Sequence, residues 1–373
     1  MNVKKNKILY YSPLYASYSA LLSQEIASET FEVTFATSSY TKYWKSIQSK
    51  SDNYFEKNIK SFSFSIKSGS RGKYKEFISF HLMKMILQYK PDIFISDSNL
   101  IFSNLYYICS KFIGGKNISF TTNIINKNSI WGRISNLILK INDFLIDEYV
   151  VPISIKKDEL IQLGINQNKI NVIGHGINTN KFTSSNINND EKLILYVGRF
   201  EKYKGIEFLI ESFVNLSKKL PKTKLMMIGD GNETKNILKL INEKKLEKKI
   251  IHYKNIENSM MPKYFAQADI VVIPSIEPEP FGVVFLEAMA SEKAIVAFEV
   301  GGGEIDIISH GKTGILIKLK DTHEMSKVLY NLCTNDELRL EIGKSAKIFV
   351  KNTFDIKIIN NKWKKMLSRL SKN

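Results

Sequence analysis

Short apolar runs, each followed by a stretch with helical spacing, recur along almost the whole 373-residue chain. That alternation constrains the fold more than any other feature, because strands that take turns with helices pair in parallel and bury both sheet faces under the helices. In the first half, Ile8–Tyr11, Phe31–Ala36, Asp92–Ser96, Ile118–Thr121, Glu148–Pro152 and Ile170–Ile173 read as strands. Amphipathic spacing predicts helices over Lys73–Tyr89 and Ile130–Ile146. Polar Ser184–Asp190 is the best linker, and after it the pattern restarts. Strands are expected at Leu193–Val197, Leu225–Ile228, Ile250–Tyr253, Ile270–Pro274 and Ala294–Phe298, with helices between them and three more from His323 to Ser371. The expected class is α/β, as two Rossmann-like doubly wound domains: residues 1–183 and residues 190–355.

At 43% hydrophobic and 24% charged residues, either half can bury a core of its own. No apolar run reaches the ~18–20 residues of a membrane-spanning helix. The start through Lys7 is basic, but Ile8–Tyr11 is too short for a secretory segment and stops at Pro13, so a cytoplasmic protein is expected. Cys109 and Cys333 are far apart, and the five histidines show no ligand spacing, so no metal site is expected. Among the histidines, His175 beside Gly176 is the one expected at a cleft.

The net charge of +17 is spread over both halves. A basic surface suits nucleic acid, anionic lipid or an anionic small substrate, and solvated lysines account for much of it in a chain this rich in Lys, Asn and Ile. No nucleic-acid-binding module is recognisable, so no specific nucleic acid is expected. Lys67, Arg71, Lys73, Lys75 and Lys84, interleaved with Tyr74, Phe77 and Phe80, read either as a solvated helix face or as a peripheral contact with an anionic membrane on its inner face.

Ligands of open α/β sheets collect at the carboxyl ends of strands. After Leu193–Val197 come Gly198-Arg199-Phe200-Glu201-Lys202-Tyr203-Lys204-Gly205, which bring a guanidinium fork and a point charge to one strand end. After Ile270–Pro274 comes a loop in which Glu279 and Glu287 stand eight positions apart, with Pro280 and Gly282 keeping the first part non-helical. A helix starting near Gly282 or Val283 turns its free amides outward, which suits a pyrophosphate. The two carboxylates suit hydroxyl groups on either side, and spacing alone suits simple helix capping as well.

The run Pro274-Ser275…Glu279-Pro280-Phe281-Gly282…Glu287-Ala288-Met289-Ala290 resembles the signature of the family-4 retaining glycosyltransferases, which have the GT-B fold of two domains facing a cleft. Val197-Gly198-Arg199 with Lys204-Gly205, Gly229-Asp230-Gly231, Gly301-Gly302-Gly303-Glu304 and Val172–Phe182 match other family segments in order. Phe354–Trp363 resembles the terminal helix that crosses back to the first domain, here 356–373. The resemblance covers residues 150–365.

It implies that Arg199 and Lys204 hold the donor diphosphate, that Glu279 contacts the transferred sugar and that Glu287 accepts from the ribose. The amides of Phe281, Gly282 and Val283 would touch sugar or phosphate. Gly198 would lie in the phosphate loop, and Lys254 and Asn255 would line the base. Donor and acceptor would be a UDP- or GDP-sugar and a glycan or lipid-linked saccharide, as in surface polysaccharide synthesis, with no cofactor or metal and no protein nucleophile.

The first half departs from the family. Tyr15-Ala16-Ser17-Tyr18-Ser19 replaces a glycine pair, leaving Ser17 as a candidate there. Asn123 of Thr121-Thr122-Asn123 stands where the family often has a histidine. Asp97, after Asp92–Ser96, is a further cleft candidate or an ordinary turn residue. These departures motivate one alternative, a catalytically inactive nucleotide-sugar-binding protein; a nucleotide-sugar isomerase or epimerase of the same fold is the other.

Overall fold

The computed structural model describes residues 5–12, 17–37, 54–58, 62–68, 72–97, 103–121, 130–184 and 191–371. Contacts divide the chain into two units, 1–176 with 359–373, and 177–358.

The first unit runs β1 (Asn6–Ser12), α1 (Ser17–Ile26), β2 (Phe31–Thr37), β3 (Tyr54–Asn58), β4 (Phe62–Ser68), β5 (Gly72–Ile78), α2 (Phe80–Tyr89), β6 (Ile93–Ser96), α3 (Ser103–Phe112), β7 (Lys116–Phe120), α4 (Ile130–Ile141), β8 (Glu148–Val151), α5 (Ser154–Gln162) and β9 (Ile170–Val172). Seven strands form a parallel sheet in the order β3-β2-β1-β6-β7-β8-β9. The chain winds one way from β1 and then returns to the other side of it at β6, so the winding reverses between β1 and β6. Ile8, Leu9, Tyr10 and Tyr11 of β1 are fully buried, as a central parallel strand covered on both faces must be. Leu82, Met85, Tyr106, Tyr107, Leu145 and Leu160 line one side of that sheet from α2, α3, the turn after α4, and α5.

One helix expectation fails. Gly72–Ile78 is not the first half of a helix; it pairs antiparallel with Phe62–Ser68, Ser65 opposite Lys75 and Lys67 opposite Lys73. Phe77, Phe80 and the apolar positions after them satisfy helical spacing, but spacing within one segment carries no information about a partner strand. The helix instead starts behind Ser79, whose hydroxyl accepts from the Leu82 amide at 3.1 Å, and ends at Lys90 before Pro91. The basic cluster expected on one helix is thereby divided between a hairpin (Lys67, Lys73, Lys75) and α2 (Lys84), while Arg71 lies outside the described residues. The helix expected over 130–146 gives way at Asn142–Leu145 to a tighter 3₁₀ turn. α1, β3, the first strand of the hairpin, α3 and α5 are additions to the elements read from sequence.

The second unit runs β10 (Leu193–Val197), α6 (Ile206–Lys219), β11 (Lys224–Ile228), α7 (Thr234–Glu243), β12 (Ile250–Tyr253), α8 (Met261–Gln267), β13 (Ile270–Ile273), α9 (Val283–Ala290), β14 (Ala294–Phe298), α10 (Gly303–Ile307), β15 (Ile315–Ile317), α11 (Thr322–Thr334) and α12 (Asp336–Thr353). Its six parallel strands take the order β12-β11-β10-β13-β14-β15, with the winding reversed between β10 and β13. Here the expected strands and most helices stand within a residue or two of their predicted ends.

The seam falls earlier than residue 183. Ile177 bridges to Asp355, its amide bonds to the Phe354 carbonyl at 3.1 Å, and Thr179 donates to the Asp355 carboxylate at 2.5 Å. Phe182 meets Phe265 edge-on, with ring centroids 6.1 Å apart. These contacts bind residues 177–182 into the second unit, and residues 185–190 of the expected linker lie outside the described residues. The last helix, α13 (Ile356–Leu370), groups with the first unit from Ile359 onward. Trp363 is fully buried edge-on to Phe120 at 5.8 Å, Asn360 donates to Glu25 at 3.1 Å, and Arg369 to Glu148 at 2.5 Å. Trp363→Ala is expected to destabilise the first unit by about 3–5 kcal/mol, read as an earlier unfolding transition in circular dichroism. An unchanged melt would show that the terminal helix contributes nothing to that core.

Candidate functional site

The reversal of winding between β10 and β13 leaves a crevice at their carboxyl ends, and the chain fills it with two loops. The first is Gly198–Gly205. Its start is held by the Gly198 amide on the Ile228 carbonyl at 3.0 Å and by the Tyr196 hydroxyl, which donates to the Arg199 carbonyl at 3.0 Å. The second loop leaves β13 at Pro274. The two are joined by the Ile276 amide donating to the Tyr203 carbonyl at 2.8 Å. Gly205 has φ +61°, and a Cβ there would lie 2.1 Å from the Pro274 carbonyl oxygen, so only glycine permits this approach.

That contact sets the charged groups. The Lys204 ammonium reaches the Glu279 carboxylate, and the same oxygen accepts from the Ser275 hydroxyl at 2.6 Å. Arg199 donates to the Tyr203 hydroxyl at 2.5 Å, and the Lys204 ammonium stands 5.2 Å from the Tyr203 ring centroid. One aromatic ring thus lies against both cations and restricts where they point. Arg199 is exposed and Lys204 half-buried.

The backbone of Glu279–Phe281 is braced from behind by the turn before α10. The Gly303 amide donates to the Glu279 carbonyl at 2.9 Å, and a Cβ on Gly303 would fall 2.0 Å from the Phe281 carbonyl oxygen. Glu304 holds that turn: one carboxylate oxygen accepts from the amides of Val300 at 2.8 Å and Gly302 at 3.0 Å. Phe281 turns its ring inward onto Phe354, 5.6 Å away, so it offers the site its backbone alone. Gly282, at φ +84°, begins α9, whose first amides have no acceptor within the helix.

Glu287 lies one turn into α9. It is the polar member of Val-Val-Phe-Leu-Glu-Ala-Met-Ala and is half-buried. Its carboxylate has no hydrogen-bond or ion-pair partner among the described residues, and burial pushes its pKa from the ordinary 4.5 up to about 7. The two acids of the E-x7-E spacing therefore differ in kind: Glu279 is paired with a cation and a hydroxyl, whereas Glu287 is desolvated and unmatched.

Lys254 and Asn255 follow β12, two strands away from β10, and both are exposed. Lys254 pairs with Asp230 at 3.2 Å. The Asp230 carboxyl is held below its ordinary range first by the Thr234 hydroxyl, 2.7 Å away, and then by Lys254.

In the first unit, Asp97 follows β6 at that sheet's own reversal, where it accepts from the Ser12 hydroxyl of β1 at 3.1 Å. His175 is buried rather than presented at a surface; its ring lies edge-on to Phe120 at 5.8 Å, and burial pushes its pKa down to about 3, so it is neutral at pH 7. Ser17 opens α1, and Asn123 lies outside the described residues. Among the described residues no group of three or more His, Cys, Asp or Glu side chains is placed to hold a metal ion. Three contributors escaped sequence reasoning: Tyr203, Ser275 and the bracing carboxylate of Glu304. All three lay inside the quoted motifs, but only contacts between separate loops reveal their role.

Two doubly wound units, the second with a glycine-bounded basic loop and a helix start at its reversal, make up the GT-B fold. Residues 178–349, nearly the whole second unit, match the family Glycosyl transferases group 1. An uncharacterized glycosyltransferase of Methanocaldococcus jannaschii is 30% identical over 217 residues, 54% of this chain and 55% of that protein. The N-acetyl-alpha-D-glucosaminyl L-malate synthase of Bacillus anthracis is 29% identical over 168 residues, 45% of this chain and 43% of that protein. The chain thus spans about half the length of these curated relatives. Among solved structures, Anabaena Alr3699/HepE in complex with UDP superposes with a TM-score of 0.81 at 16% identity, over 98% of this chain and all of that one, a likeness of fold.

The raised Glu287 pKa has a stability consequence with a definite sign. Below about pH 4.5 the carboxyl is neutral folded and unfolded. Between about 4.5 and 7 it ionises in the unfolded chain while the folded chain resists, so its contribution to stability is lost as pH rises through that window. Glu287→Gln is expected to gain stability relative to the parent on going from pH 4 to pH 8, by urea denaturation at each pH. A difference between the two proteins that is independent of pH would contradict the desolvated state of Glu287. Gly303→Ala is expected to cost about 1–3 kcal/mol in the second unit, because the new methyl must displace the Phe281 carbonyl; an unshifted thermal transition would show that the brace is not tight.

Proposed function

We propose that this chain is a retaining glycosyltransferase that moves a sugar from a nucleotide-diphosphate sugar to a glycan or lipid-linked saccharide acceptor, as in surface polysaccharide or glycoconjugate synthesis. The observation that carries the reading is the convergence of Arg199, Lys204, Glu279 and the start of α9 at one strand edge. UDP is favoured over GDP as the donor nucleotide, because a protein of the same fold binds UDP.

In this reading the ligand-free Lys204–Glu279 pair is a resting state. A donor diphosphate lodged on the amides of Gly282 and Val283 offers Lys204 a more highly charged partner. Lys204 and Arg199 then meet the charge that develops on the leaving phosphate, and Glu279, released on one oxygen, accepts from hydroxyls of the sugar. Glu287 accepts from the ribose. That role needs its ionised form, so donor binding below about pH 7 releases a proton. Retention follows from attack on the face the phosphate leaves, with no protein nucleophile. The acceptor belongs to the first unit, near Asp97 and Ser17. The proposed setting is the cytoplasm, at the inner face of a membrane.

Turnover of UDP-sugar, including slow hydrolysis to UDP without acceptor, tests these roles. Arg199→Ala and Lys204→Ala are each expected to lower kcat about 10²–10³-fold. Glu287→Ala is expected to weaken UDP binding by about 1.5–3 kcal/mol, measured by calorimetry. If all three variants keep the parental rate and affinity, the diphosphate is bound elsewhere and the assignment fails.

A further inference from the structure

Two neighbouring helical segments of the first unit carry apolar residues on the side away from the core. The inner face of α3 is satisfied by Tyr106, Tyr107 and Ser110, packed on the sheet. Its outer face presents Leu105, Ile108 and Phe112, spaced i, i+3, i+7, and Phe112 is 85% exposed. α4 and the 3₁₀ turn after it repeat the arrangement with Leu137, Ile141 and Phe144, the last 75% exposed. The end of α3 lies beside that turn, since Lys111 pairs with Asp147 at 2.6 Å and the Asn117 side chain, just beyond α3, donates to the Leu145 carbonyl at 2.8 Å. Phe112 and Phe144 therefore project from adjoining segments. An isolated exposed Leu is ordinary, but six large apolar side chains on two adjacent outer faces are not.

The charge around these residues has one sign. The chain has no acidic residue between Asp97 and Asp143, a stretch that includes all of α3 and α4. On α4, Arg133 and Lys140 are exposed along the same side as Leu137 and Ile141. The nearest acids beyond it are neutralised, Asp143 by Lys169 at 3.3 Å and Asp147 by Lys111. Phenylalanine and aliphatic residues flanked by Arg and Lys suit the boundary between acyl chains and anionic headgroups. A second copy of the chain suits it less, because a two-fold contact through this face would press Arg133 and Lys140 toward their own equivalents without an acid on either helix.

We infer that the outer face of α3 and α4 docks on an anionic lipid surface, with Phe112 and Phe144 entering the headgroup boundary. This goes beyond the transfer reaction and stands whether or not that reading holds, since it uses none of the donor-site residues. It also shifts the membrane contact from the Lys67–Lys84 region, where the sequence suggested it, to α3 and α4, of which α3 packs beside α2.

Sedimentation of the full chain with lipid vesicles tests the inference. The parent is expected to bind vesicles of mixed phosphatidylglycerol and phosphatidylcholine, and to bind pure phosphatidylcholine at least about tenfold more weakly, with the difference shrinking as salt is raised. Phe112→Ser with Phe144→Ser is expected to lower binding to the mixed vesicles at least about tenfold. Arg133→Gln with Lys140→Gln should erase the preference for the anionic lipid. Both double variants should melt as the parent does by circular dichroism, since these side chains are outside the core. Equal binding to both vesicle types would overturn the proposal. So would parental binding by the serine double variant, or a dimer that the same variant dissolves.

Discussion

The loop after β10 and the loop after β13 are far apart in sequence, and everything at the candidate site depends on their being joined. The Tyr203–Ile276 backbone bond and the close approach of Gly205 to Pro274 make the join. Once it exists, Lys204 stands against Glu279, 75 residues away in the chain, and Tyr203 stands between two cations. The glycine turn held by Glu304 presses on the same backbone from the opposite side. A site braced on two sides by main-chain contacts needs little rearrangement to receive charge, which is what electrostatic preorganisation requires.

The paired acids show how environment separates two identical groups. Glu279 sits among donors and is matched by a cation. Glu287 sits on a short helix whose other side chains are nearly all apolar, where desolvation raises its proton affinity and no neighbour offsets it. The Lys204–Glu279 pair, in contrast, is matched within the protein itself, and the Ser275 hydroxyl donates to the same carboxylate oxygen.

The second unit was far more legible than the first. Strands such as Ile270–Ile273 are short, wholly apolar and bounded by turn residues, so local pattern and tertiary burial agree. In the first unit, Gly72–Ile78 carries apolar residues at positions compatible with a helix, and its pairing with Phe62–Ser68 decides otherwise. The seam was misplaced for a similar reason: Ser184–Asp190 is polar enough for a linker, but the bonds of Ile177 and Thr179 to residues near 355 assign the preceding residues to the second unit. His175, beside Gly176 and close to that seam, is buried with its ring edge-on to Phe120.

By itself the sequence determined the alternation of strands and helices, the reversal-point loops with their glycines, and the identity of the charged groups gathered there. These are local properties: spacing, turn chemistry and residue type are set within a few positions. Only the tertiary structure decided which cation meets which acid, that the Phe281 ring faces inward onto Phe354, that Glu287 is desolvated, and that α3 and α4 turn six apolar side chains outward. Each of those depends on groups brought together from distant parts of the chain, and on how much water is left between them once the sheets are covered.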